Sequence, residues 1–179
     1  VIEKRLKLLN PRRTTVDLSL DVFRAISDWY HFAILELTLV TGFQLTAGSA
    51  ASRLGISKPE ADVAIDRLLR LELLEKDKKG HIKKTKNYVM AQSQVPNQAL
   101  KSYHKQLLER SIEALIHQTP QERVSSSDIV PIDSQYVEDV RRLSDQFTSE
   151  IFKISEKSKR KDHVYCLGVH FFKLTPERK

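Results

Sequence analysis

Two helix starts, a glycine between them and a basic hairpin follow one another within residues 46–86, and few folds accommodate that order. The stretch reads TAGSAASRLG, then ISKPEADVAIDRLLRLELLEKD, then KKGHIKKTKN. Thr46 is placed to cap a short helix in which Ala50, Ala51 and Leu54 face inward. Gly55 suits a helix C-cap, where φ must be positive. Ser57-Lys58-Pro59-Glu60 spells a capping box with proline tolerated in the first turn. The helix it opens carries Ala61, Ala64, Ile65, Leu68 and Leu71 on one face. Leu73, Leu74 and Ile82 then begin two hairpin strands, with Lys79-Gly80 at their turn. Helix, tight turn, helix, strand, turn, strand is the order of a winged helix-turn-helix, a module that sets its second helix in a DNA groove and its wing over the backbone.

Around this segment the pattern predicts an α+β chain, a winged helix-turn-helix domain followed by a small α-β-α-β domain. Residues 1–16 are basic and contain the turn signal Asn10-Pro11, so they read as a linker or the tail of a preceding domain. The winged-helix domain is expected over 17–90. It begins with a helix from about Ser19 to Thr41, because Val22, Phe23, Ile26, Tyr30, Ala33, Leu37 and Val40 recur at helical spacing and Gly42 supplies a stop. AQSQVPN at 91–97 reads as a linker. The second domain, 97–175, opens with a helix striped by Leu100, Leu107, Leu108, Ser111 and Leu115, followed by a turn at Thr119-Pro120-Gln121-Glu122. A strand is predicted at Val124–Ile132, closed by Pro131, and a helix from Ser134 with Tyr136, Val140, Leu143, Phe147, Ile151 and Ile154 along it. Val164 to Leu174 is apolar on both faces, as a buried strand would be. Two strands make a poor sheet alone, so helix cover or a strand from another copy is required.

Composition narrows the partners. A formal net charge of +7 over 179 residues favours polyanions such as nucleic acid. The longest apolar run, Phe32 to Val40, is interrupted by Glu36 and far too short to cross a bilayer, so no membrane partner is expected. VIEKRLKLLNPRR lacks the apolar core of a signal peptide, and the lone Cys166 cannot form an internal disulfide, which points to a reducing cytoplasm. The chain opens at Val1 and its single methionine is Met90, which predicts a piece of a longer protein.

Four stretches carry a family likeness: SDWYHFAILEL (27–37), ASRLGISKPEADVAIDRLLRLELLEKD (51–77), ALKSYHKQLLERSIEAL (99–115) and HVYCLGVHFFKLT (163–175). Together they resemble an uncharacterised bacterial family of predicted transcriptional regulators. Its full-length members join an N-terminal repressor-type helix-turn-helix to a C-terminal domain of unknown function of the DUF4423 type. Trp29-Tyr30-His31 and Ser102-Tyr103-His104-Lys105 are the more distinctive clusters. The resemblance implies a regulator whose first DNA-binding domain is absent from this sequence; it implies no ligand or catalytic residue. Glu72 departs from the pattern, standing where such helices commonly end in glycine.

Double-stranded DNA is the expected partner. Lys78, Lys79, Lys83, Lys84 and Lys86, with Lys76, alternate along the hairpin and suit phosphates; equally, lysines protect a solvated hairpin edge from pairing. The outward face of the second helix offers Lys58, Arg67 and Arg70 beside Glu60, Asp62 and Asp66. Arg67 is suited to read guanine or to pair with those carboxylates, and three acids facing a duplex would be repelled. That acidity supports the alternative of a protein-interaction or ligand-sensing module that does not touch DNA. Trp29, Tyr30, His31, Tyr103 and His104 are candidates for an interface or ligand seam, serving a homodimer or a small-molecule effector, or simply packing between domains. Arg141, Arg142, Lys157, Lys159, Arg160 and Lys161 read as a solvated basic surface. His163, Cys166 and His170 do not converge as metal ligands, since His163 points to the opposite strand face. A Cys166–His170 nucleophile pair lacks an orienting third group and its cysteine is expected to be buried. With no phosphate loop, dinucleotide fingerprint or zinc-protease helix either, no enzyme, cofactor or metal is expected.

Overall fold

The computed structural model describes residues 15–16, 27–85, 88–89 and 97–175. They form a mixed α+β chain of helices and small two-stranded sheets. In order, the elements are β1 (Thr15–Val16), α1 (Trp29–Leu37), α2 (Ala47–Leu54), α3 (Lys58–Arg70), β2 (Leu74–Lys76), β3 (Ile82–Lys84), β4 (Tyr88–Val89), α4 (Asn97–His117), a 3-10 turn (Ser134–Tyr136) and α5 (Val137–Lys157). The described residues fall into two compact units. The first runs to Gln106 and takes in Lys161–Val164; the second comprises Leu107–Arg160 and the residues from Tyr165 onward. The division lies within α4, beyond the linker read at 91–97, of which only Asn97 is among the described residues.

In the first unit, local sequence signals set the helix ends. Thr46 Oγ1 accepts from Ser49 N at 3.0 Å while Ser49 Oγ accepts from Thr46 N at 2.9 Å. Gly55 closes α2 at φ 67°. The second capping box forms as its spelling requires: Ser57 N donates to Glu60 Oε2 at 2.8 Å and Glu60 N to Ser57 Oγ at 3.3 Å. Each cap satisfies donors that the first helical turn would otherwise leave unpaired. Helix α3 ends without glycine. Glu72 takes the left-handed conformation at φ 56°, Glu72 N donates to Leu69 O at 3.1 Å, and Leu73 N donates to Leu68 O at 3.0 Å. This is a Schellman ending, with Leu68 and Leu73 both buried beneath it.

The core lies between α1, α2, α3 and the β2–β3 hairpin. Ile34, Leu35, Leu45, Ala50, Ala61, Ala64, Ile65, Leu68, Leu73 and Leu74 form one buried cluster. Alanines at 50, 61 and 64, all fully buried, let α2 and α3 approach closely. Strands β2 and β3 pair antiparallel, with Leu74 opposite Lys84 and Lys76 opposite Ile82. Helix α1 stops at Leu37, short of the expected Thr41. Leu39 N donates to Glu36 O and Val40 N to Leu37 O, and Thr38 Oγ1 donates back to Leu35 O at 2.7 Å, tightening the chain toward Gly42 at φ 75°. The earlier part of that expected helix, 17–26, lies outside the described residues. Thr15 and Val16, read as the end of a linker, pair in parallel with Tyr88 and Val89.

Residues distant in sequence complete this unit. Trp29 N donates to Gln106 Oε1 at 3.1 Å, and Phe32 meets Tyr103 edge to face at 5.2 Å. Thr41 N donates to Lys161 O at 2.8 Å, Lys161 N to Thr41 Oγ1 at 3.0 Å, and Arg53 Nη2 to Asp162 O at 2.8 Å.

The second unit contains the latter part of α4, the turn closed by Glu122 N donating to Thr119 O, and α5. Asp133 caps the entry to α5 by accepting from Gln135 N at 3.0 Å. The strands expected at 124–132 and 164–174 are a correction: neither segment forms strand among the described residues. Val124 is 99% exposed and Tyr165 75%, so the apolar run at 164–174 is not buried as its composition suggested. The reason is pairing. A strand exists only where a neighbouring strand takes up its backbone groups, and among the described residues no strand pairs with either segment. Leu167, Val169 and Phe171 instead lie along α5, beside Val137, Val140 and Thr148, around a shallow groove of about 400 Å³.

Candidate nucleic-acid interface

The hairpin tip is built by Asp77. Its Oδ1 accepts from Lys79 N at 2.8 Å and from His81 N at 3.0 Å, while Gly80 N donates to Asp77 O at 2.9 Å. Asp77 N also donates to His81 O at 2.9 Å, closing the loop. These backbone donors, first His81 and then Lys79, hold the Asp77 carboxyl below the usual carboxylate range. Gly80 carries the positive φ of 82° that the return to β3 demands. An ordered turn therefore presents Lys78 and Lys79 to solvent, and neither makes an ion pair with another described residue. Asp77 entered the sequence reading only as part of the hairpin; Asp followed by glycine three residues later was the signal for its role.

The remaining hairpin lysines differ. Lys83 is exposed, but its Nζ lies 3.3 Å from Glu75 Oε1 on the facing strand. Lys84 is half-buried and pairs with Glu36 of α1, and its backbone N donates to Thr38 Oγ1 at 3.3 Å. Its ammonium fastens the hairpin to α1. Lys86 lies outside the described residues. Lys76 is exposed.

On α3, Lys58 and Arg70 are exposed at opposite ends, about 18 Å apart at 1.5 Å per residue. Asp62 and Asp66 are exposed between them. Glu60 is occupied by the capping box, and the Ser57 hydroxyl and backbone amide hold its carboxyl below the ordinary value. Arg67 turns inward: it is half-buried and its Nη1 lies 3.3 Å from His31 Nε2. A guanidinium only donates, so His31 Nε2 must accept. The ring proton then sits on Nδ1 and is donated to Asp28 O at 3.1 Å. His31 is thus a neutral imidazole, 1% exposed; burial lowers its pKa first and Arg67 adds to that, against the opposing Asp28 bond.

The aromatic residues read as a seam all belong to the first unit. Tyr30 stacks on His31 at 4.9 Å and donates to Asp28 Oδ2 at 3.2 Å; burial, then the Asp28 charge, pushes its pKa up to about 12. Trp29 meets Tyr30 at 6.2 Å, and Tyr103 contacts Phe32 and, at 5.8 Å, the exposed His104. The cluster joins α1 to α3 and to the start of α4.

A family model described as a domain of unknown function, DUF4423, matches residues 10–174. The chain belongs to the DUF4423 family. No curated protein matches it. The DUF4423 match takes in every element named above, hairpin and α5 alike. Among the described residues of this DUF4423 chain, no group of three or more His, Cys, Asp or Glu could hold a metal ion, and no helix is long and apolar enough to cross a membrane. Cys166 is exposed as a residue, contrary to the buried strand position expected for it, while its sulfur is shielded enough to hold the thiol above its ordinary value.

Proposed function

We propose that α2, α3 and the β2–β3 hairpin are a winged helix-turn-helix that grips the backbone of double-stranded DNA through the hairpin tip, within a cytoplasmic bacterial transcription regulator. One observation carries this reading: Lys78 and Lys79 stand unpaired on a turn held by Asp77, while Lys83 and Lys84 are occupied by Glu75 and Glu36. Unpaired lysines on an ordered turn meet phosphates without first breaking an ion pair. The α3 face favours a non-reading role for this module. Arg67 is occupied by His31, and Asp62 and Asp66 would face phosphates. Sequence reading then belongs to another domain of the regulator, and this module adds affinity. A small-molecule effector is compatible with that role, although no particular residue favours one.

The test is anisotropy titration of a labelled duplex across a salt series, with the chain and its K78E/K79E variant. Loss of two phosphate contacts lowers the slope of log K against log salt by about 1.8. Equal slopes in the two proteins, or no binding by either, would reject the proposal.

A second reading has its own observation. Val63, 53% exposed, lies between Asp62 and Asp66 on the outer side of α3, a surface suited to docking a basic protein segment. Duplex binding unaffected by V63D but lost in K78E/K79E favours DNA; no duplex binding at all favours docking.

A further inference from the structure

His31 is the one buried polar side chain among the described residues. Both of its ring nitrogens are committed. Nδ1 donates to Asp28 O at 3.1 Å, and Nε2 accepts from Arg67 Nη1 at 3.3 Å. The second contact ties α1 to α3, and it holds only while Nε2 keeps a lone pair. Because Nδ1 already carries a hydrogen, the next proton that the ring takes up must go to Nε2. Two donors and two positive charges would then face each other across 3.3 Å, with the imidazole shut off from water. One proton therefore turns this attraction into repulsion.

The surrounding groups do not relieve it. From the entry to α1, the Asp28 carboxylate favours the proton, but it already accepts from the Tyr30 hydroxyl at 3.2 Å, and Asp28 stands on the Nδ1 side of the ring. Tyr30 stacks on the imidazole and stays neutral. From α3, Glu60 acts on Tyr30 but is held in its capping box by Ser57, which leaves Arg67 as the group of that helix facing His31. Burial, then Arg67, lowers the His31 pKa, so the contact is closed at neutral pH and opens as pH falls. His31 sits in the core and Arg67 is half-buried at its edge, so the guanidinium is the partner that can leave. Its neighbours at helical spacing, Val63, Ala64, Arg70 and Leu71, include no acid to recapture it.

We infer that proton uptake by His31 releases Arg67 from the seam between α1 and α3 to the outer side of α3, where it adds a phosphate contact to the grip of the hairpin. The release needs no DNA; the added contact rests on the duplex-binding reading above. Nitrogen-15 spectra of the unaltered chain follow both partners. The His31 ring and the Arg67 guanidinium, the latter identified by its loss in R67Q, should shift with one common midpoint as pH falls. In R67Q the His31 midpoint should rise, because the opposing cation is gone. An Arg67 signal that stays put through the His31 midpoint overturns the release. So does loss of the fold at that midpoint, read by circular dichroism and the emission of the single tryptophan, Trp29. Duplex titrations across a salt series are then run above and below the midpoint. One added phosphate contact should steepen the slope of log K against log salt by about 0.9 in the parent. H31Q and R67Q keep the other five histidines, so any general effect of acid appears in them too. A change of slope no larger in the parent than in both variants overturns the added contact. Absence of duplex binding at either pH overturns it together with the hairpin reading, while the spectra still decide the release.

Discussion

Replacing Glu72 with glycine should stabilise the first unit. Glu72 holds φ at 56°, a conformation that costs an L residue about 1–2 kcal/mol because Cβ crowds the following carbonyl. Glycine avoids that cost but loses about 0.5–1 kcal/mol through the greater freedom of its unfolded chain. The bonds that end α3 use backbone atoms, from Glu72 N to Leu69 O and from Leu73 N to Leu68 O, and survive the change. So does the bond from Thr85 Oγ1 to Glu72 O. The net gain is about 0.5–1 kcal/mol, or a rise of about 2–8 °C in Tm for a unit of this size. Thermal and urea melts followed by Trp29 emission measure it, and Glu72→Ala is the control. Alanine removes the carboxylate but keeps Cβ, so it should match the parent to within about 0.5 kcal/mol. If glycine proves no more stable than alanine, the strain argument is wrong.

Ser57→Ala removes one half of the α3 capping box and should cost about 1 kcal/mol, read from the same melts. Leu68→Ala, in the centre of the core, should cost about 2–5 kcal/mol and leave the unit partly unfolded at 37 °C. His31 should make stability depend on pH. Its folded pKa lies below the unfolded value of 6.5, so its contribution is complete above pH 6.5 and is lost as pH falls toward the folded value. His31→Gln, which keeps an acceptor for Arg67 but does not titrate, should flatten that part of the curve; an unchanged pH profile would refute the neutral-imidazole assignment.

Local chemistry was legible because neighbours in sequence decide it. Thr46, Gly55, the Ser57–Glu60 box and Gly80 act within a few residues of themselves, and each stands where its spelling implied. Glu72 was marked by the same logic: where glycine was expected, the left-handed conformation remained and only the residue changed. Partners remote in sequence were not legible. Arg67 is preceded on its own helix by Glu60, Asp62 and Asp66, yet it meets His31 on α1. Lys84 looks like one more hairpin lysine until Glu36 is brought beside it. Hydrophobicity at 164–174 suggested a buried strand, but burial depends on neighbours that composition does not name, and Tyr165 and Phe172 stand exposed.

The bonds joining Thr41 to Lys161 span 120 residues. Closing a loop of that length costs about 3 kcal/mol more chain entropy than closing the hairpin's few residues. Helices α2 and α3 and the hairpin need only near neighbours, so they can form while the chain is still being synthesised. The first unit cannot close until residues 161–164 have left the ribosome, after the whole of 107–160. During that interval Thr41 N and the Arg53 guanidinium must be served by water. The unit that begins first in sequence therefore stays open while most of the second is being made.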